Sequence, residues 1–429
     1  MIRKITIENY YSVKEKQVID FLVPKNAPES DNFLLSRTGD GDRLPAVVGF
    51  YGPNASGKTT VLRALDATAR FITKSFEYAL ESSIPDFWPF MHQDYWLKPT
   101  KISIEFDAYW LVPEKELSPE SVEIERKLGN LPKSHNFLYE LHIAHDGKRF
   151  NDQAIGSVLS GEKPIDHVSF EALYWYPKGR LRKLFERKGQ NISFSKELNV
   201  LPNDPRIKMV KPNSSVISTF AQFNHFIFKK IQHDTSFQPS NVIARDRFEL
   251  KSKNYFEFYF NNKNALDSLN RQLQRIDIGL KEMMIETTSN GLIARFKHDG
   301  LSQDIYWFSE SSGTRSFVEN FPLLWVALET GSIATIDELE SNLHPILVSE
   351  IVQWFYDKDI NKYRAQLLFT AHNASFLQDL EKDQVFFTEK YANGETKIYG
   401  AKDIQGLRRE PDLAKKYMAG VLGAIPNIG

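Results

Sequence analysis

Gly52-Pro53-Asn54-Ala55-Ser56-Gly57-Lys58-Thr59 fits G-x-x-x-x-G-K-[ST], the pattern of a phosphate-binding loop. Its surroundings fit too. Ala46-Val47-Val48-Gly49-Phe50-Tyr51 is an apolar run of the length of a buried strand, and Thr60-Val61-Leu62-Arg63-Ala64-Leu65 opens an amphipathic helix. A strand, a glycine-bounded loop and a helix N-terminus make an anion site, because backbone N–H groups converge on a β-phosphate and the helix dipole adds partial positive charge. Lys58 is then placed to reach the β- and γ-phosphates and the Thr59 hydroxyl to ligate Mg2+. Gly52 through Thr60 is the nucleotide-contacting set. The plainer alternative, a glycine-rich turn with a chance lysine, leaves the flanking strand and helix unexplained.

Such a loop says only that a nucleotide binds. Turnover also needs Mg2+ ligation, a group that positions water and a sensor of the γ-phosphate. Ser332-Ile333-Ala334-Thr335-Ile336-Asp337-Glu338 is a short apolar strand ending in two carboxylates. Asp337 would hold Mg2+, directly or through water, and Glu338 would polarise the attacking water. Paired acids also occur on surfaces by chance; the preceding strand argues otherwise. Gln366-Leu367-Leu368-Phe369-Thr370-Ala371-His372 is a strand ending in a histidine. His372 is either structural or the γ-phosphate sensor, since imidazole can donate to phosphate or water. Glu310-Ser311-Ser312-Gly313-Thr314-Arg315 precedes an expected helix, Phe317 to Leu328. That stretch is either an ordinary N-cap or a second anion contact. Gln93 sits shortly before the strand Ile102-Ser103-Ile104-Glu105-Phe106.

Composition bounds the rest. The 429 residues have room for two or three domain-sized units. The formal net charge of −1 excludes a polycation built for phosphate backbones. With no cysteine there are no disulfides, thiolate metal sites or cysteine nucleophile, which suits a reducing cytoplasm. No apolar run approaches a membrane span, and Met1-Ile2-Arg3-Lys4-Ile5 carries no signal core.

Ile5 to Tyr10 and Gln17 to Phe21 read as strands, Val23 to Arg43 as a surface loop, and the helix after the phosphate loop as running to about Leu80. Ser82 to Pro99 is irregular and rich in Pro and Trp. Strands follow at Ile102–Phe106, Phe137–Ile143 (then a turn at Asp146-Gly147) and Glu171–Tyr176, giving an antiparallel layer. From about Leu198 to Glu286 the apolar spacing is helical, as at Val216–Ile231 and Ala265–Met284, with no long heptad repeat. From Gly291 the chain returns to α/β character, with a further strand at Gln384–Thr388. The expected organisation is residues 1–197, an N-terminal lobe; 198–286, a helical insertion; and 287–429, a C-terminal lobe.

This order of motifs resembles the ABC-type ATPases of the SMC, RecF and overcoming-lysogenization nuclease group. More closely, it is similar to a bacterial family of stand-alone ABC-like AAA ATPases that accompany effectors in phage-defence and abortive-infection operons. The residues that carry the likeness include Ile7-Glu8-Asn9-Tyr10, Tyr174-Trp175-Tyr176-Pro177, Asp277-Ile278-Gly279, Glu310 to Arg315, Ile336-Asp337-Glu338-Leu339-Glu340-Ser341-Asn342-Leu343-His344-Pro345, Phe369-Thr370-Ala371-His372-Asn373, and Tyr417 through Pro426. Leu343-His344-Pro345 belongs to the RecF-like side. Ala371 stands where family members often carry a second threonine, and Gln93 is, by position, the candidate for the glutamine of the family's Q-loop, which the resemblance implies would contact Mg2+. The resemblance implies an α/β ABC-type P-loop head with an antiparallel β subdomain and a helical insertion. It implies two heads packed head to tail, with ATP between the phosphate loop of one and the signature residues Ser311, Ser312 and Gly313 of the other. Glu340 to His344 corresponds to the D-loop, which faces the opposite subunit's nucleotide.

The implied function is an ATP- and Mg2+-dependent ATPase that senses infection or restrains a separate nuclease or toxin. By usual domain sizes of roughly 50–250 residues, the stretch after His372 leaves little room for a nuclease module. The alternative is a RecF-like ATPase of DNA repair or chromosome handling, so nucleic acid stays open as a partner. A membrane partner and a transporter role are not expected.

Overall fold

The alternation of Ile5-Thr6-Ile7-Glu8 puts every second side chain on one face of a strand. The computed structural model describes residues 1–80, 82–109, 134–146, 166–176, 179–236, 240–242, 251–277, 279–289, 291–409 and 412–425. In it that strand is β1 (Ile2–Glu8), followed by β2 (Gln17–Asp20), β3 (Phe33–Leu35), β4 (Arg43–Pro45) and β5 (Val47–Tyr51). Beyond the helix Lys58–Lys74 come β6 (Thr100–Tyr109), β7 (Ser134–Ala144), β8 (His167–Trp175), β9 (Arg182–Lys188) and β10 (Asn191–Phe194). After four helices the chain forms β11 (Leu280–Thr288), β12 (Gly291–His298) and β13 (Ile305–Tyr306), then β14 (Ile333–Ile336), β15 (Gln366–Ala371), β16 (Val385–Lys390) and β17 (Thr396–Gly400).

Two sheets position the site. One is antiparallel, in the order β10-β9-β8-β7-β6-β1-β2. The other runs β14-β15-β5-β16-β17, and its first four strands are parallel. Every residue of β5 is buried, as a strand with parallel neighbours on both edges and cover on both faces requires. Its side chains alternate between two cores. Val48 and Phe50 join Ile5, Leu65, Phe185 and Phe220 on one side. Val47 and Tyr51 join Leu269, Phe317, Ile351 and Phe369 on the other. The five-stranded sheet is therefore the middle layer of the molecule.

The fold is the expected mixed α/β one, with several corrections. Residues 23–43 are not all surface loop, since β3 and β4 pair across Leu34 and Leu44. The helix after the phosphate loop stops at Lys74 rather than near Leu80. Its last carbonyls give way to the 3-10 turn Ser75–Glu77, and the Lys211 ammonium caps the carbonyls of Phe76 and Tyr78. The strands β9 and β10 follow from no reading of the sequence above.

The stretch 198–286 is not helical throughout. Its helices are Val216–Gln222, Phe226–Ser236, Lys251–Asn261 and Lys263–Ile276, and it ends in β11, paired along its length with β12. Asp277 is extended and Gly279 sits at φ +92, so the helix cannot run on to Met284. The helices also divide between the two cores: Val216, Phe220 and Phe228 lie in the first, and Phe256, Leu269 and Leu273 in the second. The helix after Ser311 is longer than expected, Ser312–Thr330. Gly147, Pro177, Ile278 and Pro426, named in the motifs above, lie outside the described residues.

Candidate functional site

In a parallel sheet, ligands gather at the carboxyl ends of the strands. Here β14, β15 and β5 lie side by side in register, Ile336 against Phe369 and Ala371 against Tyr51. Asp337, His372 and Gly52 therefore leave three adjacent strand ends together.

The loop is forced by its glycines. Gly52 has φ +154, and a Cβ there would stand 2.3 Å from the Thr388 carbonyl oxygen. Gly57 caps the helix at φ +105, and its Cβ would stand 2.5 Å from Thr396 Oγ1. The hairpin β16–β17 thus presses against the loop from behind. It holds the loop through the Ser56 and Thr388 hydroxyls at 2.6 Å, and Thr396 Oγ1 donates to the Ser56 carbonyl at 2.8 Å.

Lys58 is 5 % exposed. Its ammonium donates to the carbonyls of Gly52 (2.7 Å) and Pro53 (2.9 Å) and meets His372 Nδ1 at 3.1 Å. Because an ammonium only donates, Nδ1 accepts and the imidazole proton is assigned to Nε2, which faces Glu338 Oε1 at 3.7 Å. Burial pushes the Lys58 ammonium down to about 8, against the opposing pull of Asp337, Glu340 and Glu338.

Thr59 Oγ1 donates to Asp337 Oδ1 at 2.9 Å, and Thr370 Oγ1 donates to the same oxygen at 2.7 Å. Thr370 Oγ1 also accepts the Glu338 N–H at 2.7 Å, and Glu338 sits at φ +49, in the left-handed region. Thr59 and Asp337 thus bring hard oxygen donors together beside the loop, a donor set that suits Mg2+ completed by phosphate oxygens and water. Among the described residues, no group of three His, Asp or Glu side chains gathers to form a metal site unaided.

These residues line one cleft of about 910 Å³. Asn54 through Thr60, Asp337, Glu338, Thr370 and His372 form its polar end. Tyr11, Trp88, Pro89, Phe90 and Met91 form an apolar, aromatic end. No motif in the sequence marks that end. Asn9 builds it: its amide accepts the Phe90 N–H at 2.9 Å and donates to the carbonyls of Tyr95 (3.1 Å) and Lys98 (2.8 Å), folding the Pro- and Trp-rich stretch onto β1. Gln93 does not join the site. It is exposed, and the turn from His92 to Tyr95 carries it past the cleft, which takes Trp88 through Met91 instead.

Ser311, Ser312 and Gly313 are not among the residues lining this cleft either. Ser311 caps the helix Ser312–Thr330, its Oγ accepting the Thr314 N–H at 3.1 Å, and both serines are exposed. The helix start rests on Glu340–His344: a Cβ on Gly313 would stand 3.0 Å from the Asn342 carbonyl oxygen, and Ser316 Oγ donates to the Ser341 carbonyl at 2.7 Å. Glu340 in turn accepts the backbone N–H groups of His372 and Asn373.

Thr370 and Asn241 were missed in the sequence. Thr370 had a signal, a lone hydroxyl at the end of an apolar strand. Asn241, whose side-chain oxygen accepts the Asp337 N–H at 2.7 Å, had none, because that bond joins residues far apart in the chain.

A family model described as "AAA domain, putative AbiEii toxin, Type IV TA system" matches residues 47–378, from the first residue of β5 to just past His372. Three solved structures resemble the chain along nearly all its length. The SMC head domain from Thermotoga maritima is 13% identical, with a TM-score of 0.39, covering 93% of this chain and 98% of that one. An Smc head bound to the C-winged helix domain of ScpA is 12% identical, with a TM-score of 0.40 and coverage of 93% and 96%. An Smc head domain with an extended coiled coil, bound to the C-terminal domain of ScpA derived from Pyrococcus furiosus, is 10% identical, with a TM-score of 0.38 and coverage of 98% and 99%. No curated protein matches the chain.

Proposed function

The chain belongs to that AAA-domain ATPase family, and from this premise we propose that it binds ATP with Mg2+, hydrolyses it in a site shared by two copies packed head to tail, and uses the cycle to control a separate effector in defence against phage. The observation that carries the ATPase reading is the convergence of Thr59 and Thr370 on one oxygen of Asp337, beside Lys58 and His372. A nucleotide triphosphate uses both ends of the cleft. The aromatic end offers Tyr11, Trp88 and Phe90 to a base. At the polar end, Lys58 would exchange the carbonyls of Gly52 and Pro53 for phosphate oxygens, and Thr59 with Asp337 would hold Mg2+.

When bound, Mg2+ supplies charge neutralisation on the β- and γ-oxygens. Glu338 orients the attacking water, and the Nε2–H of His372 is turned toward the same place, where γ-phosphate and water would lie. Ser311 and Ser312 are exposed at a helix start that does not line the cleft of their own loop. That placement fits a contact made to the γ-phosphate bound by a second copy, which biases the pair toward a closed state. The family description names a putative toxin and a type IV toxin–antitoxin system, which supports a partner drawn from such a system.

The test is Mg2+-dependent ATP turnover by the full chain, paired with capture from the native host using Glu338→Gln and ATP. Lys58→Ala is expected to lower turnover on the order of 10²–10³-fold and to abolish phage resistance conferred together with neighbouring genes. A toxin- or nuclease-class protein in stoichiometric yield supports the defence role. DNA captured without such a protein supports the repair role instead, and no turnover in any Mg2+ condition overturns the ATPase reading.

A further inference from the structure

Asn241 takes no part in the chemistry above, yet it is buried and its amide is committed to Asp337. Residues 240–241 run beside the outer edge of β14, with Ser240 bridged to Thr335 and the Asn241 N–H donated to the Thr335 carbonyl at 3.3 Å. The side-chain Oδ1 accepts the Asp337 N–H at 2.7 Å, and Nδ2 reaches the Asp337 carbonyl at 3.4 Å. Asp337 is thus held twice, its carboxylate by Thr59 and Thr370 and its backbone by Asn241. The same Nδ2 donates to Asn320 Oδ1 at 3.2 Å.

Asn320 is also buried, and it lies in the helix that Ser311 caps. Its own Nδ2 donates to the Ser316 carbonyl at 3.0 Å, one turn back toward the signature residues. Ser316 in turn is bonded to Ser341. A short buried chain of amides therefore runs from the start of the signature helix to the backbone of Asp337. Each link needs a group that both donates and accepts, which an amide does and a carboxylate or aliphatic side chain does not.

We infer that Asn241, acting through Asn320, is a positioning residue that couples the seating of the signature helix to the Mg2+-binding geometry of Asp337. The inference rests on the reading of Asp337 as the Mg2+ ligand. A shift of the helix on meeting a second copy moves Asn320, and through Asn241 it reorients the backbone that presents the carboxylate. Buried hydrogen-bond networks of this kind can carry energetic coupling between sites, because their members polarise and constrain one another.

The experiment measures the affinity of a fluorescent ATP analogue for the full chain, once with Mg2+ and once with EDTA. It uses wild type, Asn241→Ala, Asn320→Ala, the double variant and Asn320→Asp, with thermal unfolding of each. In EDTA all five are expected to bind alike. The gain in affinity on adding Mg2+ is expected to fall by roughly 10–100-fold in Asn241→Ala, as for other groups that orient a metal ligand. Asn320→Ala is expected to lose part of the gain, and the double variant no more than Asn241→Ala alone, because the two residues act in series. Asn320→Asp keeps the acceptor facing Asn241 but loses the donor to the Ser316 carbonyl, and is expected to lose the gain as Asn320→Ala does. Where Asn241→Ala does not fold, Asn241→Ser keeps a small polar group that cannot span Asp337 and Asn320, and the same loss is expected. A Mg2+ gain retained in both alanine variants while only the melting temperature falls, or losses that add in the double variant, overturns the inference alone. A wild type with no Mg2+ gain overturns the reading of Asp337 itself.

Discussion

Lys58 holds its charge at a cost that a bound triphosphate would relieve. With its folded-state value near 8, the free site loses the ammonium as pH rises through that point. Phosphate oxygens favour the charged form, so binding raises the value and takes up a proton. ATP affinity should therefore be full below pH 8 and decline above it, with proton uptake visible by calorimetry in buffers of different ionisation enthalpy. Affinity that is flat across that range would show that Lys58 does not meet the phosphates. Glu338→Gln keeps the size and the backbone bond to Thr370 but removes the base. Turnover should fall on the order of 10²–10⁴-fold with ATP affinity kept; hydrolysis at the wild-type rate would assign the water to another group. Gly57→Ala meets two obstacles, φ +105 and Thr396 Oγ1 at 2.5 Å. The backbone term alone costs on the order of 1–3 kcal/mol, so a lowered melting temperature and lost nucleotide binding are expected together.

At the scale of elements, what the sequence made legible depended on how local its cause was. The strand β5 and its loop were legible because both the buried run and the glycines are properties of adjacent residues. The carboxyl ends of β14 and β15 were legible for the same reason, each an apolar strand closed by a polar residue. The strand β11 was read as helix because Met283, Met284 and Ile285 suit either period, and only pairing with β12 decides between them. Gln93 was misplaced because the path of its loop is set by Asn9, more than eighty residues earlier in the chain. Asn9→Ala should free that loop, exposing the Phe90 N–H and raising amide hydrogen exchange across 88–98 while leaving the antiparallel sheet protected. Unchanged exchange there would remove Asn9 from its organising role. Glu340 links elements in the same non-local way, tying the Glu340–His344 turn to the backbone after β15.

At the scale of the whole molecule, the five-stranded sheet divides two cores and presents the phosphate loop, Asp337 and His372 at one end. Ser311 to Gly313 open elsewhere, beside Asn342. On the proposed reading, these are two halves of an ATPase site that meet only between copies. No helix among the described residues is long and apolar enough to cross a membrane. The decisive measurement mixes two inactive variants, Lys58→Ala, which lacks the phosphate contact, and Gly313→Asp, which sets a carboxylate where the second copy's γ-phosphate is proposed to lie. Alone, each should turn over ATP at background rate. Mixed in equal amounts, random pairing in a two-site dimer leaves roughly a quarter of the sites intact, and turnover should recover to about that fraction of wild type. No recovery, with both variants folded and each shown to associate, would contradict a site shared between two copies.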